Sequence, residues 1–168
     1  MKKVSLVLAI GLGLVLMATG AFADQVTKPL TVNATVSARA TLTMGASSIS
    51  FVDADPDGTP SIASTPTSIA VTAKVRTGSA STATLTHKAD DDLKNANLDV
   101  IAISNVTWTA AGTGFQPGTM SKSAPVTAAS WTGSGSHTDG SFSYFLANSW
   151  SYATGSYTVS TTYTLTAP

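Results

Sequence analysis

The chain lacks two residue types altogether, cysteine and glutamate, and only 11% of its residues are charged. Without cysteine there are no disulfides and no thiol chemistry, so sheets and core alone must hold the fold. Without glutamate, paired-carboxylate hydrolysis would depend on aspartate alone. The sequence also has no Gly-x-Ser-x-Gly motif and no glycine-rich phosphate loop. We therefore expect a protein that is not an enzyme.

Basic residues are also few, since nine Lys and Arg stand against nine Asp and no basic patch stands out. A protein that binds nucleic acid or an anionic lipid surface needs such a patch to neutralise phosphate charge. Histidine gives no metal motif, because His87 and His137 are far apart and neither has a second ligand at metal spacing. We therefore expect no nucleic-acid partner.

Helical patterning is the third absence. After residue 23, no window of ten or more residues has a clear 3.6-residue apolar period. Threonine is abundant instead, and it fits the solvated face of a strand because it is β-branched. We predict an all-β protein, an immunoglobulin-like β-sandwich of about seven or eight strands. The candidate strands lie at 30–36, 38–44, 49–52, 69–75, 83–88, 98–103, 106–109, 126–131, 142–146 and 157–165.

The N-terminus has the pattern of an export signal. Two lysines precede a mostly apolar stretch, residues 4–17, and Ala-Phe-Ala at 21–23 fits the small-x-small cleavage rule. An anchoring helix is the alternative, but the stretch is short for a span of about 20 residues. We expect residues 1–23 to be cleaved, with no membrane insertion afterwards. The protein would then be exported to the cell surface or the extracellular space.

Alternation is the most informative feature that is present. Polar residues, mostly threonine, fill the odd positions between 30 and 44, which gives an extended chain one apolar and one wet face. At ~3.4 Å per residue this run would span about 50 Å, too long for one ordinary strand. Either the chain bends into two strands, or part of the run completes a neighbour's sheet. The apolar positions are Leu30, Val32, Ala34, Val36, Ala38, Ala40, Leu42 and Met44.

An acidic loop at residues 53–58 suggests a cation site. Asp53, Asp55 and Asp57 occupy alternate positions before Gly58, like the first half of a calcium loop. The twelfth position is Ser64 rather than a bidentate glutamate. The alternative interpretation is a solvated turn rich in Asp, Pro and Gly. We keep a possible Ca²⁺ as a hypothesis and expect no other cofactor.

Large aromatic residues also allow two interpretations. They could form a platform on which sugar rings stack, or they could fill a β-sandwich core or an interface. The core or interface is favoured, because large aromatic side chains are mostly buried on average. These residues are Trp108, Trp131, Trp150, Tyr144, Phe145 and Tyr152.

Several stretches resemble one family of proteins. Residues 26–36 read VTKPLTVNATV, which is similar to the mature N-terminus of the major pilins of the alternate chaperone–usher class, typified by colonisation factor antigen I fimbriae. The pattern of that N-terminus is V-x-K-x-[IL]-T-V-x-A-[ST]-V. Similar stretches lie at 71–89, at 101–108 and at the entry to the last strand, 155–157. The Asp53–Gly58 loop departs from the family pattern.

The resemblance implies an immunoglobulin-like sandwich that lacks its final strand. In that family the N-terminal extension of the next subunit fills the gap, so residues 24–37 would be a donor strand and 38–168 the sandwich. The donated side chains would be Leu30, Val32, Ala34 and Val36. The resemblance also implies identical subunits in a fibre, a periplasmic chaperone and an outer-membrane usher as partners.

Two functional hypotheses therefore follow from the sequence. The first is a secreted structural subunit that polymerises by donor-strand complementation into a fimbria or pilus. The second is a monomeric secreted or surface β-sandwich module that binds carbohydrate or calcium, and whose strand at 30–44 closes its own sheet. A free amphipathic strand favours the first, because an uncovered edge would otherwise promote aggregation.

Overall fold

A computed structural model describes residues 26–168, which belong to two compact units, Met1–Ala34 and Thr35–Pro168. The predicted leader, residues 1–23, lies outside the described residues. In the first unit, residues 26–34 form no helix or strand, and their side chains are exposed. Within residues 26–168, no helix is long and apolar enough to cross a bilayer.

The second unit confirms the all-β prediction, since the described residues are 48% strand and 2% helix. Every sheet in it is antiparallel, and the one helical segment is a 3₁₀ turn at Ile103–Asn105. The described residues form twelve strands: β1 (Arg39–Met44), β2 (Ser50–Phe51), β3 (Ser61–Thr65), β4 (Ile69–Arg76), β5 (Thr82–Ala89), β6 (Leu93–Lys94), β7 (Val100–Ile101), β8 (Val106–Ala111), β9 (Gly118–Thr119), β10 (Val126–Thr132), β11 (Gly135–Ala147) and β12 (Thr161–Thr166).

The strands are arranged in two main sheets. The large sheet has the order β1-β4-β11-β3-β2, and β8 also pairs with β11 and carries β9. The small sheet has the order β10-β5-β12, and β6 and β7 form a separate pair. Long β11 organises the large sheet, because β4 and β3 pair with successive stretches of it.

The core lies between the two sheets and follows the strand alternation. In β4, Val71 and Ala73 are fully buried, and in β5, Ala83 and Leu85 are fully buried, while the residues between them face outward. Trp108 on β8 reaches across to the small sheet, where its ring centroid lies 5.4 Å from that of His87. Burial of these side chains is the main source of stability in a domain without disulfides.

The predicted strands differ from the observed ones in several places. Residues 30–36 form no strand, because no neighbouring strand takes up their backbone hydrogen bonds. The candidate at 98–103 reduces to β7, and β12 begins at Thr161 rather than at 157. Sequence analysis missed β3 and the first half of β11. Gly140 lies in that half, at a β-bulge, and a Cβ there would collide with the ring of Phe115.

His87 is the one histidine in the core, and the structure gives it no polar partner. It is 2% exposed, and neither ring nitrogen has a hydrogen-bond partner. Its ring stacks on Tyr163 of β12, with centroids 4.1 Å apart. The Tyr163 hydroxyl is hydrogen-bonded to that of Tyr144 on β11, which ties the edge of the small sheet to the large sheet.

Burial controls the protonation of this cluster. It lowers the pKa of His87 to about 4 and raises the pKa of Tyr144 to about 12. The pKa of Tyr163 is raised as well, by burial and then by the nearby Tyr144. All three side chains are therefore neutral at pH 7, as a core without counter-charges requires.

The first prediction concerns the dependence of stability on pH. Because the pKa of His87 is lower in the folded chain than in the unfolded one, the unfolded state binds the proton first. The free energy of unfolding should therefore fall as the pH drops from about 6.5 to about 4, by about 3 kcal/mol in total. Guanidinium unfolding at several pH values measures this slope.

Two variants separate His87 from the other groups that titrate in this window. The variant His87→Phe should lose the slope, because an apolar ring binds no proton in either state. The control His137→Phe should keep it. An equal slope in the parent and in His87→Phe would contradict the assignment.

Candidate functional site

The outer strands β1 and β12 each have a partner on one side only. β1 pairs with β4, and β12 pairs with β5. On its other side, neither strand pairs with any strand of residues 26–168. Each therefore presents a row of backbone N–H and C=O groups that another strand could pair with. The two edges are neighbours, because Cα atoms of β1 and β12 come within 8 Å of each other.

The apolar side chains along these two edges are only half-buried. Leu42 and Met44 of β1, and Tyr163 and Leu165 of β12, pack against the core without being covered by it. Their cross-strand partners one strand further in are fully buried: Met44 faces Val71, and Leu165 faces Leu85. We call β1 and β12, with these four side chains, the open edge. The core side chains of β4 and β5 are buried, whereas those of the open edge are only partly covered.

The described part of the predicted donor segment, residues 26–37, which we call the extension, carries the opposite feature: its apolar side chains are exposed. Leu30 is 86% exposed, Val32 82% and Val36 69%. Ala34 is also exposed. Exposure of several large aliphatic side chains at alternate positions of one segment leaves an apolar surface without cover.

The length of the apolar segment matches that of the open edge. Seven residues, 30–36, would extend over about 23 Å as a strand, and the six residues of β12 span about 20 Å. The residues predicted as donated plugs, Leu30, Val32, Ala34 and Val36, therefore have the spacing and reach needed to cover the open edge of another copy. Sequence analysis identified β1 and the last strand but did not reveal that both are edges, because edge position is set by pairing partners distant in sequence.

The acidic loop is arranged as a turn. Asp55 accepts a hydrogen bond from the Asp57 backbone N–H at 2.9 Å, and the Thr59 N–H donates to the Asp55 carbonyl at 2.7 Å. Asp57 accepts a bond from the indole N–H of Trp150 at 3.1 Å. Among residues 26–168, no group of three His, Cys, Asp or Glu side chains is placed to hold a metal ion. Asp53, Asp55 and Asp57 thus share a loop without converging on one point.

The aromatic residues divide between core and surface. Trp108, Trp131 and Tyr144 are buried, and both tryptophans donate their indole N–H to backbone carbonyls. Phe145 and Tyr152 are half-buried. Trp150 differs, because it is 70% exposed. The core interpretation holds for the buried three, and these aromatics do not form one surface platform.

The second prediction concerns calcium. Because no three acidic or histidine side chains of residues 26–168 are placed together to hold a metal ion, we expect millimolar calcium to leave the melting temperature unchanged. Melting in calcium and in chelator, for the parent and for Asp53→Asn/Asp55→Asn, measures this. A melting temperature that rises with calcium in the parent and not in the double variant would instead support the calcium hypothesis, with up to about 2.7 kcal/mol gained at 100 times the dissociation constant.

Comparison with known proteins gives no relative from which a function could be transferred. No protein-family model, no curated protein and no solved structure matches the chain. The functional argument therefore depends on the geometry of the open edge and the extension.

Proposed function

We propose that this protein is an exported structural subunit that polymerises by strand donation into a cell-surface fibre. The extension of one copy would lie along the open edge of the next, between β1 and β12. Residues 24–37 would then be the donor, and residues 38–168 an immunoglobulin-like sandwich that lacks one strand. The proposal depends on one observation: the core is partly uncovered along the open edge, and the same chain has an exposed segment, as long as that edge, with apolar side chains at alternate positions.

The energetics support donation. Full burial of a Val or Leu side chain contributes about 1.5–3 kcal/mol, so covering Leu30, Val32 and Val36 contributes several kcal/mol. The donor would also take up the free backbone groups of the edge strand beside which it lies. The proposed partners are identical subunits, with a chaperone and an usher to shield the open edge before assembly, since an uncovered edge promotes aggregation.

The alternative function is a monomeric surface module that binds carbohydrate or calcium. It requires the segment at 30–44 to close the sheet of its own chain. Only β1, the second half of that segment, does so here, while residues 30–36 remain exposed. This exposure favours donation to another copy.

The third prediction is that the extension contributes to assembly and not to stability. Deleting residues 26–36 should change the free energy of unfolding by less than about 0.5 kcal/mol, because the deleted side chains are exposed. The same deletion should abolish polymers seen by electron microscopy and sedimentation. Under the alternative function it would instead expose core and lower the melting temperature, so a destabilised truncated chain would contradict donation.

The fourth prediction tests the register of the donor. Val32→Asp would place an unpaired carboxylate against the apolar open edge, which is costly, whereas Thr31→Asp lies on the opposite face of the strand. We expect Val32→Asp to slow polymer growth at least ~10-fold and Thr31→Asp to have little effect. Both variants should melt like the parent, because both positions are exposed in the subunit.

Growth followed by light scattering measures the difference between the two variants. Val36→Asp and Thr35→Asp form a second matched pair, with the same expected contrast. Equal effects at even and odd positions would rule out an alternating donor strand.

A further inference from the structure

Three cations lie together on the outer face of the large sheet, at the end where β1 begins. Arg39 and Arg76 are directly opposite each other in the β1–β4 register, and Lys74 is two positions from Arg76 along β4. All three side chains are exposed and line one shallow depression. Like charges in directly opposite positions destabilise a sheet. We call these three residues the basic patch.

The basic patch has no acidic partner in the part of the chain that the structure describes. The ion pairs there join Lys94 and Lys122 to Asp91 and Asp92, at the other end of the strands. The Arg76 side chain instead donates its Nε–H to the Ser37 carbonyl at 2.8 Å. A carboxylate-bearing partner would therefore relieve the repulsion within the patch.

A cluster of unpaired carboxylates lies at the opposite end of the domain. Asp53, Asp55 and Asp57, which we call the acidic tip, are exposed and take part in no ion pair among the described residues. The acidic tip is held against the end of β11, because the Asn148 side chain donates to the carbonyls of Ala54 and Thr59 at 2.9 and 3.1 Å. It is therefore a fixed feature of that end.

Strand directions show that the patch and the tip lie at opposite ends. β4 runs toward the patch and ends at Arg76, and β11 runs the other way from Gly135, opposite Val75, to Ala147. The tip precedes β3, whose first residue, Ser61, is opposite Ala147. The domain thus carries three positive charges at one end and three negative charges at the other.

We propose that the acidic tip of one subunit binds the basic patch of the next copy in the fibre. This inference rests on the proposed function. Donation would bring the basic patch of the donating copy close to the end of the acceptor at which the donor strand leaves, because Arg39 follows the last donated side chain, Val36, by three residues, or about 10 Å of chain.

The direction of the donor decides which end of the acceptor the patch meets. β12 runs from the tip end toward the patch end, since Thr161 pairs with Ala89 and Thr166 with Thr84 of β5. A donor antiparallel to β12 leaves the acceptor at its tip end, which places the patch of the donating copy at the end of the acceptor that carries the tip. A parallel donor would leave at the patch end, where the acceptor's own extension begins, and like charges would meet.

Charge reversal in the full chain, expressed with export in a bacterial host, tests the proposal. The purified product is unfolded, diluted to start assembly, and followed by light scattering and electron microscopy at 20 mM and 500 mM salt. The tip variant is Asp53→Lys/Asp57→Lys, and the patch variant is Arg39→Glu/Lys74→Glu. Each should assemble about 10-fold more slowly at low salt, with a smaller deficit at high salt.

A chain that carries all four substitutions has the net charge of the parent and complementary ends again, so it should recover most of the lost rate. The control Thr109→Lys/Thr127→Lys adds charge at two exposed positions, one in the middle of β8 and one near the start of β10, and should assemble like the parent. The patch variant should melt no lower than the parent, because the new carboxylate at 39 faces Arg76.

The outcomes separate this inference from the proposed function. Polymers whose growth is insensitive to both reversals, or slowed by them without recovery in the combined chain, would overturn the contact between tip and patch while leaving strand donation intact. A parent chain that forms no polymer, together with a Val32→Asp variant that behaves like it, would overturn donation itself and the contact with it.

Discussion

The structure depends on the requirement that buried backbone groups be hydrogen-bonded. Antiparallel ladders satisfy it inside the two sheets, and each sheet ends at strands with one free side, among them β1 and β12. The apolar residues of β1 and β12 are half-buried, and a further strand there would supply both hydrogen bonds and cover. Under the proposed function, stability and assembly would therefore be one problem in this molecule, since the residues left half-covered are those that another copy would cover.

The sequence predicts the alternating strands well and the irregular ones poorly. β4 and β5 were identified because Val71, Ala73 and Leu85 alternate with polar residues and face a single core. The first half of β11 was missed because Gly140 suggests a turn, whereas the structure uses it to let the ring of Phe115 approach the backbone. The alternation of apolar and polar residues is a local property and can be read from the sequence. The close approach of a ring to a glycine cannot, because the ring belongs to a residue distant along the chain.

The same distinction applies to the candidate site. Residues 30–36 stood out in the sequence because they extend an alternating run that is too long for one ordinary strand, and the structure leaves their apolar side chains exposed. The acidic loop suggested a metal centre from spacing alone, but spacing cannot say whether three carboxylates converge, so calcium binding stays a prediction; here Asp55 accepts a backbone N–H and Asp57 the indole N–H of Trp150. The open edge itself was invisible, because whether β12 has one partner or two is decided by the whole topology.

The charges at the two ends of the domain bear on how subunits would be oriented in the proposed fibre. The extension leaves the domain at the end that carries Arg39 and Arg76, and the acidic tip lies at the other end. In the proposed fibre, strand donation by itself would supply affinity through apolar burial, which is non-directional. Opposite charge at the two ends would supply direction, because it would favour a head-to-tail approach and oppose the contact of two like ends. A chain with little charge overall would thus place the few charges it has where they select one orientation of assembly over the other.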